Sequence, residues 1–202
     1  MLETAFWIGV FLMSVVVHEV CHGAVAYLLG DPTAKQAGRL TLNPLRHIDP
    51  LWTVIIPGLL FISTHGRFAI GQAKPVPVDF SRLGSPRRDT IFVAVAGPFA
   101  NWVLANLLAL GWRLTGNIIF LYAVYLNLGL CVFNLVPIPP LDGSRVIAAL
   151  LPKKASRIYQ RIESFGFLVI FALYFTGALF YFIVPVVDVF CRIINVPQLT
   201  GA

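Results

Sequence analysis

Two imidazoles and a carboxylate fall within five residues of this chain, in His18-Glu19-Val20-Cys21-His22. On an α-helix, positions i and i+4 share a face, so His18 and His22 can reach a single ion. Glu19, one position round from the first imidazole, is then free to handle water instead of the metal. This is the HExxH arrangement of zinc hydrolases. The residues on either side, Phe11–Val17 and Gly23–Leu29, are almost entirely apolar. Ionisable groups inside such a helix are expensive and by default mark function, and two histidines and a glutamate buried only as packing would bring no return. Two histidines do not complete a catalytic zinc site, which takes three protein ligands and keeps one position open. His47, Asp49 and His65 sit in loops, and Asp188 lies at the far end of the last apolar run. Asp142 follows the third long apolar run in Pro137-Ile138-Pro139-Pro140-Leu141-Asp142-Gly143. The prolines break the helix and can turn the carboxylate back into the bundle, where irregular backbone is tolerated only around a cavity. His18 stands twelve residues before Gly30, about 18 Å at helical rise, which puts it toward the same end of the bundle as Asp142.

The elements that must carry these groups are written in the composition. Of 202 residues, 58% are apolar and 12% charged, and the mean hydropathy is +0.82. A water-soluble domain is nearer 45–50% apolar and about 25% charged, so the chain reads as an all-α polytopic membrane protein with a single domain over 1–202. The net charge of +6 does not indicate nucleic acid, because the cations lie in loops between apolar runs. The three cysteines lie inside apolar stretches and imply no disulfide framework. Four runs have the length of about 20 residues that a bilayer requires: Thr4–Leu29, Thr90–Trp112, Ile118–Val136 and Phe165–Val187. A fifth, Leu51–Ser63, is shorter and contains Pro57-Gly58, which suits a re-entrant or interfacial element. The first run has no basic lead-in or cleavage pattern and is read as a span, not a cleavable signal. With four crossings, thirteen of the fifteen Lys and Arg fall on one side, against ten with five. The positive-inside rule makes that side cytoplasmic. Short strands are expected near 38–42, where apolar and polar residues alternate weakly, and near 74–78, an extended stretch because each proline disfavours helix for the residue before it.

Three segments together, His18–His22 in the first span, Asn134 with Pro139-Pro140-Leu141-Asp142-Gly143 after the third, and Ala96-Gly97-Pro98-Phe99-Ala100-Asn101 between them, resemble the site-2 protease family of intramembrane zinc metalloproteases. Gly30–Lys35, Gly38–Pro44 and Ala73–Val78 extend the resemblance over most of the chain, toward the compact bacterial and archaeal branch that lacks PDZ and CBS domains. One departure is Gln72, where that family suggests an aromatic residue. The resemblance implies one Zn2+ per chain held by His18, His22 and Asp142, with Glu19 as catalytic acid/base and Asn134 near the scissile bond. It further implies a multi-pass protein of the cell membrane with its site toward the cytoplasmic side, cleaving transmembrane-protein substrates within the lipid bilayer.

The other polar residues admit plainer readings. Asn101 is a candidate to bind substrate, to support a ligand, or to join helices; Asn106 and Asn127 read as interhelical glue. Cys21 faces away from the histidines and reads as packing. The basic pairs Arg87-Arg88 and Lys153-Lys154 fix orientation and can meet anionic headgroups. A helical substrate hides its carbonyls, so it must unwind before cleavage, and residues 38–42 or 74–78 are the candidates to hold it extended. The competing reading is a metal transporter or sensor built on the same His/Asp cluster. It would not need Glu19 beside a ligand, and such proteins often show two related halves, whereas this sequence has no internal repeat.

Overall fold

The computed structural model describes residues 2–63, 65 and 73–200. Helix α1 (Leu2–Leu28) carries the first apolar run in one piece of 27 residues, about 40 Å long at 1.5 Å per residue. It stops where Gly30 takes a φ of 108°, which glycine adopts without steric penalty. A short helix α2 (Thr33–Gln36) and a 3-10 turn, Pro44–His47, follow. A π-helical turn, Pro50–Ile55, then leads into α3 (Ile56–Ser63). Helix α4 (Pro86–Thr115) is the longest, at 30 residues. Proline suits its first turn because that N–H would have no helical partner anyway, and Asp89 accepts the N–H of Ser85 at 2.7 Å to cap the same end. Gly116, with a φ of 65°, ends α4 by donating to Trp112 O at 2.8 Å. Asn117 then caps α5 (Ile118–Leu135) by accepting the N–H of Ile119. With two residues between them, α4 and α5 pack as neighbours.

Small side chains allow that close approach. Ala105 and Ala109 of α4 are buried against Leu121, Val124, Leu128 and Val132 of α5. The seam is closed by Val187 and Cys191 of α9 (Ala178–Ile193). Between α5 and α9 come the proline-rich turn at 136–141, α6 (Asp142–Leu150), α7 (Lys153–Gln160) and α8 (Glu163–Phe175). The turn is wedged by two glycines. A Cβ on Gly143 would clash with the carbonyl of Leu135, and one on Gly166 of α8 with the carbonyl of Pro139.

Among the described residues three helices, α1, α4 and α5, are long and apolar enough to cross a membrane; a fourth arises there only if α7 and α8, bent by 59°, count as one span. The expected run Phe165–Val187 is not one helix. Thr176 and Gly177, the latter with a φ of 74°, divide it between α8 and α9, a backbone break to which hydropathy is blind. Leu51–Ser63 is helical but short, and Leu59 and Ile62 on it are exposed at 62% and 73%. The strands expected near 38–42 and 74–78 do not form; no strand occurs among the described residues. The main chain there finds other partners. The N–H of Lys74 donates to His47 O at 2.8 Å, that of Val76 to Glu19 Oε2 at 2.8 Å, and that of Arg39 to Ala34 O at 3.0 Å. Gln72 lies outside the described residues.

Candidate metal centre

His18 and His22 project from one face of α1 toward α4, and the turn before α6 brings Asp142 to meet them. The three ligand-type atoms form a nearly equilateral triangle. His18 Nε2 and His22 Nε2 are 3.0 Å apart, and Asp142 Oδ2 is 3.1 Å from each. Both histidines are buried. Their outer nitrogens establish which atoms carry protons. His22 Nδ1 sits 2.6 Å from Val93 O, a carbonyl that can only accept, so this nitrogen donates. His18 Nδ1 lies 2.6 Å from Asn101 Oδ1. The amide of Asn101 is oriented by its nitrogen, which donates to Ser14 O at 3.2 Å and to Asn127 Oδ1 at 3.0 Å; its oxygen therefore faces His18 and accepts. With both Nδ1 atoms committed as donors, each ring in its neutral form turns an Nε2 lone pair toward one point, together with a carboxylate oxygen.

Three such acceptors at this separation repel unless a proton or a metal cation lies among them. A tetrahedral site with bonds of 2.0–2.1 Å needs ligand atoms about 3.3 Å apart, so the cluster is a few tenths of an ångström tighter than the loaded geometry. Among the described residues, this is the group of His, Cys, Asp or Glu that could hold a metal ion. The residues present fit zinc.

The local sequence accounts for this arrangement. Ser14, His18 and His22 follow one another at intervals of four on α1. The buried Ser14 receives an N–H of Asn127 on its hydroxyl at 3.1 Å and itself donates to Val10 O. A polar ladder thus runs through α5, α4 and α1 to the first imidazole. Pro98 lacks the N–H that would meet the carbonyl of Ala94, next to Val93, whose own carbonyl serves His22. Gly97 faces the rings directly: a Cβ there would stand 2.6 Å from His18 Nε2 and closer still to His22 Nε2. Glu19, half-buried beside His18, accepts the N–H of Val76.

The family model described as Peptidase family M50 matches residues 112–177, which include Asn134 and Asp142. YwhC of Bacillus subtilis (strain 168), named as a zinc metalloprotease, is 37% identical over 191 residues, covering 88% of this chain and 83% of that protein. Rip2 of Mycolicibacterium smegmatis (strain ATCC 700084), named likewise, is 32% identical over 192 residues, 86% of this chain and 70% of its own. The chain belongs to peptidase family M50. No solved structure matches it. The expected site-2 protease resemblance is thereby upheld, and this M50 member is a zinc metalloprotease and a multi-pass membrane protein.

The remaining candidates of the M50 chain separate clearly. Asn134, half-buried near the end of α5, donates to Leu130 O at 2.9 Å. Asn101 is fully buried, and its contacts to His18, Ser14 and Asn127 occupy both ends of its amide. His47, 2% exposed, directs Nε2 to Thr41 O at 2.9 Å. Asp49 accepts the N–H of Leu51. His65 is exposed. Asp188 accepts the N–H of Leu199 and the hydroxyl of Thr200, tying down the C-terminal segment. None of these four joins the triad. Sequence reasoning missed Ser14 as a support and Gly97 as a wall. The four-residue step from His18 and the glycine before Pro98 were the available signals.

Proposed function

We propose that His18, His22 and Asp142 hold the zinc of this protease, that Glu19 is its catalytic acid/base, and that its substrates are transmembrane segments of other proteins. The observation that carries this reading is the buried triangle of 3.0–3.1 Å between Nε2, Nε2 and Oδ2. When bound, zinc supplies Lewis acidity, polarising the scissile carbonyl and acidifying water. Asn101 and Val93 O hold the two imidazoles in the tautomer and orientation required of ligands; Asn101 is therefore assigned to positioning His18 and not to contacting substrate. Glu19 takes the proton of the attacking water on its carboxylate and passes it to the departing amine nitrogen. Asn134 is assigned to substrate binding near the scissile bond. The segment 74–78 lies over α1: Val76 is buried, and a Cβ on Gly23 would meet its Cγ1. An unwound substrate strand that takes over the Val76 N–H would free Glu19 for the reaction. In the bilayer, Leu51–Ser63 lies in the interface or re-enters, and the metal end faces the cytoplasm, as the loop cations favour.

The test uses the full chain in detergent, with zinc counted per protein and cleavage of a membrane-embedded reporter measured. Glu19→Gln should keep its zinc and lose about 10²–10⁴-fold in cleavage. Cleavage at the wild-type rate by that variant would end the proposal.

A further inference from the structure

Away from the triad, α4, α6 and α7 surround an open cleft of about 480 Å³. Arg87 at the start of α4, Arg145 on α6, and Lys153 and Arg157 on α7 line it, with Glu163 as the one acidic lining residue. None of the four cations makes an ion pair among the described residues. Arg87 reaches only Leu151 O at 3.4 Å, and the Arg145 guanidinium stacks 5.0 Å above the Phe80 ring. The hydroxyls of Ser144 and Tyr159 in the same wall are directed to the carbonyls of Leu141 and Pro137. The donors left to a ligand are therefore chiefly guanidinium and ammonium N–H groups.

A topological signal alone does not require this convergence. Arg88, Lys154 and Arg161 are near sequence neighbours of these residues and would serve orientation equally well, yet they do not line the cleft. Lys153 and Arg157, four apart on α7, repel each other mildly on a bare helix, a repulsion that a shared counter-charge relieves. Guanidinium forks and a point-charge ammonium together match a phosphate, which only accepts hydrogen bonds and carries the missing charge. The setting suits a membrane boundary. Basic α7 bends by 59° into apolar α8, whose Phe165 and Leu168 are each 66% exposed.

We infer that this cleft is a phosphate-binding site, occupied by the headgroup of an anionic phospholipid or by a free phosphate. Native mass spectrometry of the full chain, given equal dioleoyl phosphatidylglycerol and phosphatidylcholine, tests the site; titrated inorganic phosphate tests the second source. Arg145→Gln/Arg157→Gln is compared with Lys154→Gln/Arg161→Gln, which removes the same charge outside the cleft. The expected result is preferential retention of phosphatidylglycerol, reduced about tenfold or more by the cleft pair and little by the control pair. Displacement of the lipid by inorganic phosphate, or phosphate binding without lipid, assigns the site to a free phosphate. Equal loss in both pairs, or no anion preference in the wild type, overturns the inference. Lys153→Gln alone gives the same reading if the double variant does not fold.

Discussion

The Gly97→Ala variant adds one methyl group where α4 passes the two histidines. Its Cβ would lie 2.6 Å from His18 Nε2 and 2.7 Å from His18 Cδ2, and closer to His22 Nε2, against an ordinary contact of 3.4–4 Å. Neither ring can swing away cheaply, since each Nδ1 is held by a bond of 2.6 Å. Either α4 backs away from α1 or a ring leaves its support. Overpacking of this kind costs about 1–3 kcal/mol. At about 1.4 kcal/mol per tenfold, and with the strain falling on the ligand geometry, zinc should bind about 5- to 150-fold more weakly. The assay is chelator competition on detergent-purified protein, with thermal unfolding to show that the bundle stands. Gly129→Ala is the control, because a Cβ there meets nothing within 4 Å. Wild-type zinc affinity in Gly97→Ala would refute the reasoning about how α4 walls the site.

Other expectations can be checked with the same material. Asn101→Leu removes the acceptor from His18 Nδ1 and should weaken zinc binding about 10–100-fold, while Asn106→Leu should leave chelator competition unchanged. Gly166→Ala pushes on the carbonyl of Pro139 and so on the turn that delivers Asp142; zinc per chain should fall although no ligand is touched. Val76→Pro deletes the N–H that Glu19 accepts and should reduce cleavage of the reporter while zinc stays bound; unchanged cleavage would exclude 74–78 as a docking strand. Burial tends to raise the Asp31 carboxyl, but bonds from the Thr33 hydroxyl and the N–H groups of Asp79 and Thr33 outweigh it and hold the group below its ordinary range. Its contribution is complete above about pH 4 and is lost as pH falls through the lowered value. Melting temperature should drop in that acid range, and Asp31→Asn should flatten the drop.

Local chemistry made the site readable in advance, because a four-residue step and a proline-broken helix end specify positions without knowledge of the packing. His18, His22 and Asp142 meet as their spacing and flanks suggested. The apolar lengths likewise foretold α1, α4 and α5. What stayed hidden depends on backbone freedom and on long-range partners. Gly177 splits an apolar run that hydropathy treats as continuous. The extended segment near Val76 does not pair as a strand, because its N–H groups meet Glu19 and His47 from distant parts of the chain. Asn127 joins helices as its reading as glue suggested, but its partner Ser14, a lone hydroxyl in an apolar run, gave only its four-residue step from His18 as a sign of that role before α5 met α1.

The ladder from Asn127 through Ser14 and Asn101 to His18 joins three helices by side-chain bonds that involve no ion. The cradle is thus moulded by assembly of the bundle itself, and the metal is a guest, not the mortar. Stripping it should leave α1, α4 and α5 seated against each other, ready to be refilled, in contrast to small zinc domains that come apart when chelated.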